Sequence, residues 1–205
     1  MLVAALLAGP AAGHAMTASA ASAPGAAATP WTPDVRAATS FAQRRSGRVA
    51  FAVRTPTRAW QRGGDGRFPA ASVVKAMLMV AYLSRTDVRH RPLKRSERDL
   101  LSRMIRRSQN PPANTLSDIV GADGLQRLAR RAGMRHFVAV MGVWGRSRIT
   151  ASDQARFFQR IDRLLPRRHR VHAMVLLRTI VASGGQNSTG RQGSVFTRLR
   201  QYLSQ

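Results

Sequence analysis

Residues 71–83 read Ala-Ser-Val-Val-Lys-Ala-Met-Leu-Met-Val-Ala-Tyr-Leu, with only Ser72, Lys75 and the Tyr82 hydroxyl interrupting an apolar run. The run is too long for an ordinary strand and suits a helix. A helix that is apolar on every side must be enclosed on every side. The chain therefore needs a helical body wrapped around this segment. Its 205 residues are 44% hydrophobic, enough for one such core and consistent with a single domain.

The flanking patterns supply that body. Residues 34–45 carry Val35, Ala38 and Phe41 or Ala42 at helical spacing. Residues 48–54 alternate, which predicts a strand with Val49, Phe51 and Val53 on one face. Thr55-Pro56-Thr57 breaks it, residues 58–62 return as a hairpin partner, and Gly63-Gly64-Asp65-Gly66 is a turn. Ser96-Glu97-Arg98-Asp99 resembles a capping box opening a helix to Arg106. Asn110-Pro111-Pro112 reads as a loop feeding a helix toward Val120, and residues 123–131 as another, stopped by Gly133. Thr150-Ala151-Ser152-Asp153 caps a helix to Leu165, and Pro166 opens a last one to about Ala182. Trp144, Phe157 and Phe158 are expected in the core, and Arg127, Arg130 and Arg131 on an outer helix face.

Two terminal stretches differ in character. Residues 2–13 form a short apolar run followed by the small-residue sites Gly13-His14-Ala15 and Ala18-Ser19-Ala20. This resembles the hydrophobic and cleavage regions of a secretory signal, although no basic stretch precedes it. Residues 20–33 have the composition of a spacer. A secreted or cell-envelope location is the expectation. The division is a signal-like segment and spacer over 1–33, a folded domain over 34–182 and a Gly/Ser-rich tail over 183–205.

Thirty-four basic residues stand against nine acidic ones, a formal net charge of +25. That excess suits an anionic partner, but the arginines are dispersed and no nucleic-acid-binding motif accompanies them. No nucleic acid is expected; an anionic cell wall is the polymer the charge suits. With no cysteine, disulfide scaffolds, thiol nucleophiles and Cys-based metal sites are excluded. His169 and His172 share a helix face without a further ligand nearby, and their Pro166–His172 surroundings read as solvated surface. No metal and no cofactor are expected.

Only two of the basic residues are lysines, Lys75 and Lys94. Lys75 stands three residues after Ser72, on the same helix face and within reach of its Oγ. A serine in a first helical turn meets unpaired N–H groups and the positive end of the backbone dipole, which favour a nearby oxyanion. A lysine packed in an apolar helix loses solvation, so its pKa falls and a neutral amine becomes available as a base. Arginine could not do this. Ser108-Gln109-Asn110 adds a hydroxyl that can relay a proton and an amide that can bind a substrate carbonyl or the lysine.

The segments Phe68-Pro69-Ala70-Ala71-Ser72-Val73-Val74-Lys75 and Met104-Ile105-Arg106-Arg107-Ser108-Gln109-Asn110-Pro111-Pro112-Ala113-Asn114 resemble the serine β-lactamases and penicillin-binding proteins, especially the class A branch. Residues 120–125, Gly133-Met134 and Thr150–Asp153 support the likeness over roughly residues 37–182. The resemblance implies an α+β, β-lactamase/transpeptidase-like fold, a helical subdomain plus an antiparallel sheet. It implies acyl transfer with Ser72 as nucleophile, Lys75 as base, Ser108 as proton relay and Asn110 as substrate ligand. The partners would be β-lactams or peptidoglycan D-alanyl peptides, and the protein a monomer. The oxyanion hole would use the Ser72 N–H and a second N–H from a sheet strand.

Three departures follow from the same comparison. A Lys-Thr-Gly motif is impossible beyond Lys94, and Ser188-Thr189-Gly190 is its nearest echo. Residues 133–150 contain no acid and Glu97 is the sole glutamate, so no loop glutamate would activate water for deacylation. The family's C-terminal strands and final helix are missing, which predicts an exposed sheet face, poor stability and weak or absent catalysis. The alternative to an enzyme is a non-catalytic wall-binding module of the same fold.

Overall fold

The computed structural model describes residues 32–181. Its elements run α1 (Val35–Gln43), β1 (Phe51–Arg54), β2 (Ala59–Arg62), β3 (Phe68–Pro69), a 3-10 turn (Ala71–Val73) and α2 (Val74–Leu83). They continue through α3 (Arg95–Arg106), α4 (Asn110–Ala132), a second 3-10 turn (Trp144–Arg146), β4 (Arg148–Ile149), α5 (Ala151–Leu164) and α6 (Arg167–Arg178). The signal-like run, almost all of the spacer, and the tail with Ser188-Thr189-Gly190 lie outside the described residues.

The fold is α+β, built around α2. All ten of its residues are buried, and Met77, Leu78, Met79 and Leu83 are 0% exposed. Helices α3, α4 and α6 pack about it, enclosing it as an all-round apolar helix requires. Each such side chain contributes roughly 1.5–3 kcal/mol by leaving water.

The sheet component is two small antiparallel pairs. In the first, Phe51 opposes Arg62 and Val53 opposes Trp60; in the second, Phe68 opposes Ile149 and Pro69 opposes Arg148. The alternation of β1 is real, and the more deeply buried face is the one that carries the alanines. Ala50 and Ala52 cluster with Ala151 of α5, whereas Val49, Phe51 and Val53 are half-buried. Helix α5 approaches β1 so closely that the small residues form the contact. None of the exposed large hydrophobics among the described residues lies on β1 or β2; Phe51, Val53 and Trp60 are half-buried. In α1 only Ala42 is buried, and Phe41 faces outward beneath the Arg45 guanidinium, 4.2 Å from its ring centroid.

The segments read separately as a helix to Val120 and a helix over 123–131 are one element, α4, broken at Gly121. Gly121 has φ +66° and ψ 172°, a conformation that a side chain would strain. Gly133 ends the element in the left-handed region, and the Met134 N–H returns to the Ala129 carbonyl. Asn110-Pro111-Pro112 forms the first turn of α4 rather than a loop. Proline is tolerated there because first-turn N–H groups have no helical partner. Helix α6 stops at Arg178, short of the expected Ala182, where the Thr179 hydroxyl bonds back to the Val175 carbonyl. His169 is buried rather than solvated, its Nε2 3.1 Å from the Val88 carbonyl oxygen.

Two acids fasten the body. The Asp153 carboxylate is 0% exposed and accepts from the backbone N–H groups of Arg135 and His136 and from the Arg156 guanidinium, tying α5 to the segment after α4. Thr150 caps α5, accepting from the Asp153 N–H at 3.1 Å. Helix α3 begins after Lys94, two residues before the expected cap at Ser96. Its Glu97 carboxylate accepts from the Lys94 N–H at 2.7 Å. The same carboxylate takes a two-pronged contact from Arg91 (2.8 and 2.6 Å) and a bond from the Tyr82 hydroxyl (2.7 Å).

The Arg91 hydrogen bonds hold the Glu97 carboxyl down to about 2. Its folded pKa is therefore depressed, so its stabilisation is present above the ordinary value of 4.5 and lost as pH falls toward 2. Denaturant unfolding at pH 6 and pH 3 should show the wild type losing about 1–2 kcal/mol more than Glu97→Gln over that interval.

Candidate active site

The β3–β4 pair sets the entry to the site. Beyond Pro69 the Ala70 N–H donates to the Ser147 carbonyl at 2.8 Å, and Ala71 then takes φ +45° to swing the chain into the 3-10 turn. That backbone costs an alanine on the order of 1–2 kcal/mol, and the strand pair on one side and α2 on the other hold it. Ser72 follows in this turn and is exposed, whereas Lys75, one turn on, is only 2% exposed.

The turn between α3 and α4 supplies the answering groups. Ser108 has φ +52°, and in this left-handed conformation its carbonyl and its hydroxyl both reach Lys75. Lys75 Nζ donates to the Ser108 carbonyl, to Ser108 Oγ at 3.0 Å and to Asn110 Oδ1 at 3.0 Å. Three ammonium protons thus have three acceptors. Burial pushes the ammonium pKa down to about 8. Ser108 Oγ in turn donates to Ser72 Oγ at 3.1 Å.

All four residues singled out in the sequence are brought together, with one change in connectivity. No hydrogen bond joins Ser72 directly to Lys75 among the described residues; Ser108 stands between them. Ser72 sits in the 3-10 turn, and Lys75 is drawn across to the α3–α4 turn by its three acceptors. Asn110 occupies the first position of α4, exposed, with its Oδ1 committed to Lys75.

Trp144 packs against the core as expected, but from its edge. It is half-buried at the site, with Lys75 Nζ 5.0 Å from its ring centroid and its indole Nε1–H donating to Asn114 Oδ1 at 2.7 Å. Sequence reading missed both residues as site components. The available signal was local: Gly142-Val143-Trp144-Gly145 places an aromatic in a glycine-flanked loop rather than on an amphipathic helix.

No acidic side chain bonds to Ser72, Lys75, Ser108 or Asn110 among the described residues, nor do His and acidic residues there group to hold a metal ion. The groove of about 910 Å³ beside α1, lined by Arg45, Arg48, Arg62 and Arg67 among others, contains none of the four. The four lie instead where the first 3-10 turn meets the α3–α4 turn, with Ser72, Ser108 and Asn110 exposed and Lys75 buried beneath them. Such an arrangement pairs an accessible hydroxyl with a hidden amine through one intervening hydroxyl, which suits activation of Ser72 as a nucleophile.

A family model described as a β-lactamase enzyme family matches residues 89–183. The matched stretch includes Ser108 and Asn110 and begins after Ser72 and Lys75. Among solved structures, a β-lactamase from Sphaerobacter thermophilus superposes with TM-score 0.59 at 23% identity, over 74% of this chain and 73% of that one. A β-lactamase from Desulfarculus baarsii gives TM-score 0.51 at 24% identity. The fold is β-lactamase-like. That second match covers 65% of this chain and 64% of the length of the other. At these identities the structural likeness carries the fold. No curated protein matches the chain.

The buried lysine of this β-lactamase-like chain leaves a mark on stability. Its folded pKa, about 8, lies below the ordinary 10.5, so between these values the unfolded state binds more protons and stability rises with pH. Unfolding free energy should climb by on the order of 2 kcal/mol from pH 8 to pH 10 in the wild type, and this rise should be absent in Lys75→Met.

Proposed function

We propose that the chain is a serine acyl-transfer protein acting on β-lactams or on the D-alanyl peptides of peptidoglycan, with Ser72 as nucleophile. The observation that carries this reading is the continuous path from exposed Ser72 Oγ through Ser108 Oγ to buried Lys75 Nζ. In the neutral-amine state, Ser72 Oγ attacks the substrate carbonyl carbon. The Ser72 proton passes to Ser108 Oγ while the Ser108 proton passes to the Lys75 lone pair, so each oxygen keeps its valence. The resulting ammonium is met by three acceptors already in place. Collapse of the tetrahedral adduct breaks the carbonyl C–N bond; Ser108 Oγ gives its proton to the leaving nitrogen and takes one from the Lys75 ammonium, which returns to the neutral amine. General-base activation of this kind contributes about 10²–10⁴-fold in rate.

Hydrolysis of the acyl-serine then needs a base for water. No acidic side chain is bonded into the site among the described residues, which supports a long-lived acyl-enzyme rather than fast turnover. An exported protein working at an anionic wall completes the reading: a signal-like run at residues 2–13 and a net charge of +25 both suit it.

A fluorescent penicillin should label the purified protein covalently, with release over hours, and Ser72→Ala should abolish the label. Ser108→Ala should slow labelling by about 10²-fold or more. Labelling undiminished in Ser72→Ala would refute the assignment.

A further inference from the structure

Three of the faces around Lys75 Nζ are oxygen acceptors, and the fourth group against it is the Trp144 ring, 5.0 Å from centroid to nitrogen. An aromatic face carries negative quadrupole density and stabilises an ammonium at this distance without offering it a proton acceptor. The ring is fixed. Its N–H is held by Asn114 Oδ1, and the turn it opens is closed by the Ser147 N–H donating to the Trp144 carbonyl at 3.0 Å. Ser147, 0% exposed, anchors that turn on both sides, its carbonyl accepting from the Ala70 N–H and its Oγ from the Val140 N–H. The indole, the 3-10 turn beneath it and the backbone leading to Ser72 are thus one braced unit.

We propose that Trp144, clamped by Asn114, is a positioning residue for Lys75: its ring holds the amine in line with Ser108 and favours the protonated form. Ring and burial act in opposite directions, and their balance sets the pH at which Lys75 becomes a base. The side chains facing Nζ from the neighbouring elements, Ser108, Asn110 and Trp144, carry no charge. Burial pushes the Lys75 amine down with no charged side chain contributing, so none competes with the ring. Arg107 and Arg146, flanking Ser108 and following Trp144, are exposed.

This inference rests on the acyl-transfer reading for its consequence in catalysis, but its test does not. The chain has only two lysines, so lysine carrying ¹³C at Cε gives two NMR signals, and Lys94→Arg leaves Lys75 alone. In that background the Lys75 midpoint should lie near 8. Trp144→Leu, which keeps the apolar cover and removes the π face, should lower the midpoint by roughly half to one unit. Trp144→Phe should hold it near the wild-type value. Asn114→Ala, at an exposed position, should shift it in the same direction as Trp144→Leu by freeing the ring. A midpoint unchanged or raised in Trp144→Leu, or in Asn114→Ala should the leucine variant not fold, would overturn the proposal. If penicillin does not acylate Ser72, the functional reading fails while the titration still decides the role of Trp144. If acylation proceeds and the titration ignores Trp144→Leu, the reading stands and this inference falls.

Discussion

Lys75 places an ionisable nitrogen inside a helix that is otherwise committed to the core, and most of the local structure answers that one fact. A buried amine with no partner would cost several kcal/mol if charged. Here the α3–α4 turn comes in to meet it, and Ser108 adopts a left-handed backbone from which its carbonyl and hydroxyl serve the same nitrogen. Ala71, the other non-glycine residue with positive φ among the described residues, lies immediately before Ser72. Backbone strain is thus concentrated at the two points where the chain must turn sharply to put an exposed hydroxyl beside a hidden amine.

The scaffold makes those turns affordable by being rigid around them. Enclosure by three helices holds α2, the Glu97 carboxylate joins Arg91, Tyr82 and the start of α3, and the Asp153 carboxylate locks α5 to the segment beyond α4. The break at Gly121 lets the first half of α4 serve the site through Asn110 and Asn114 while its second half packs elsewhere. Each of these contacts lies away from Ser72 and acts on it only by fixing an element's place.

The sequence was most legible where residue type and chemistry coincide. An apolar thirteen-residue run could only be a buried helix, and a rare lysine three residues from a serine at its start pointed to the reactive pair. Ser108 and Asn110 were readable from their spacing, but their geometry was not. That a left-handed Ser108 would interpose itself between Ser72 and Lys75 depends on how two helices meet, which no local pattern encodes. The choice of buried face in β1 has a similar origin: alternation marks two faces, and close approach of α5 selects the alanines over the larger side chains. Trp144 escaped notice as a site residue because an aromatic residue is by default read as core; it does pack against the core, and its half-buried ring also lies against a cation. Its partner Asn114 lies one helical turn beyond Asn110, a relation visible only once Pro111 and Pro112 are known to be inside the helix rather than before it.

The hydrogen-bonded path from Ser72 through Ser108 to Lys75 is what the proposed acyl transfer rests on. Its direct measure is the pH dependence of the rate at which a penicillin acylates Ser72, followed from pH 6 to pH 10. The rate should rise with a single midpoint near 8, matching the Lys75 amine, and the rise should vanish in Lys75→Met, leaving at least 10²-fold slower acylation. A rate that stays flat across this range, or one that Lys75→Met leaves intact, would contradict the assignment of Lys75 as the base.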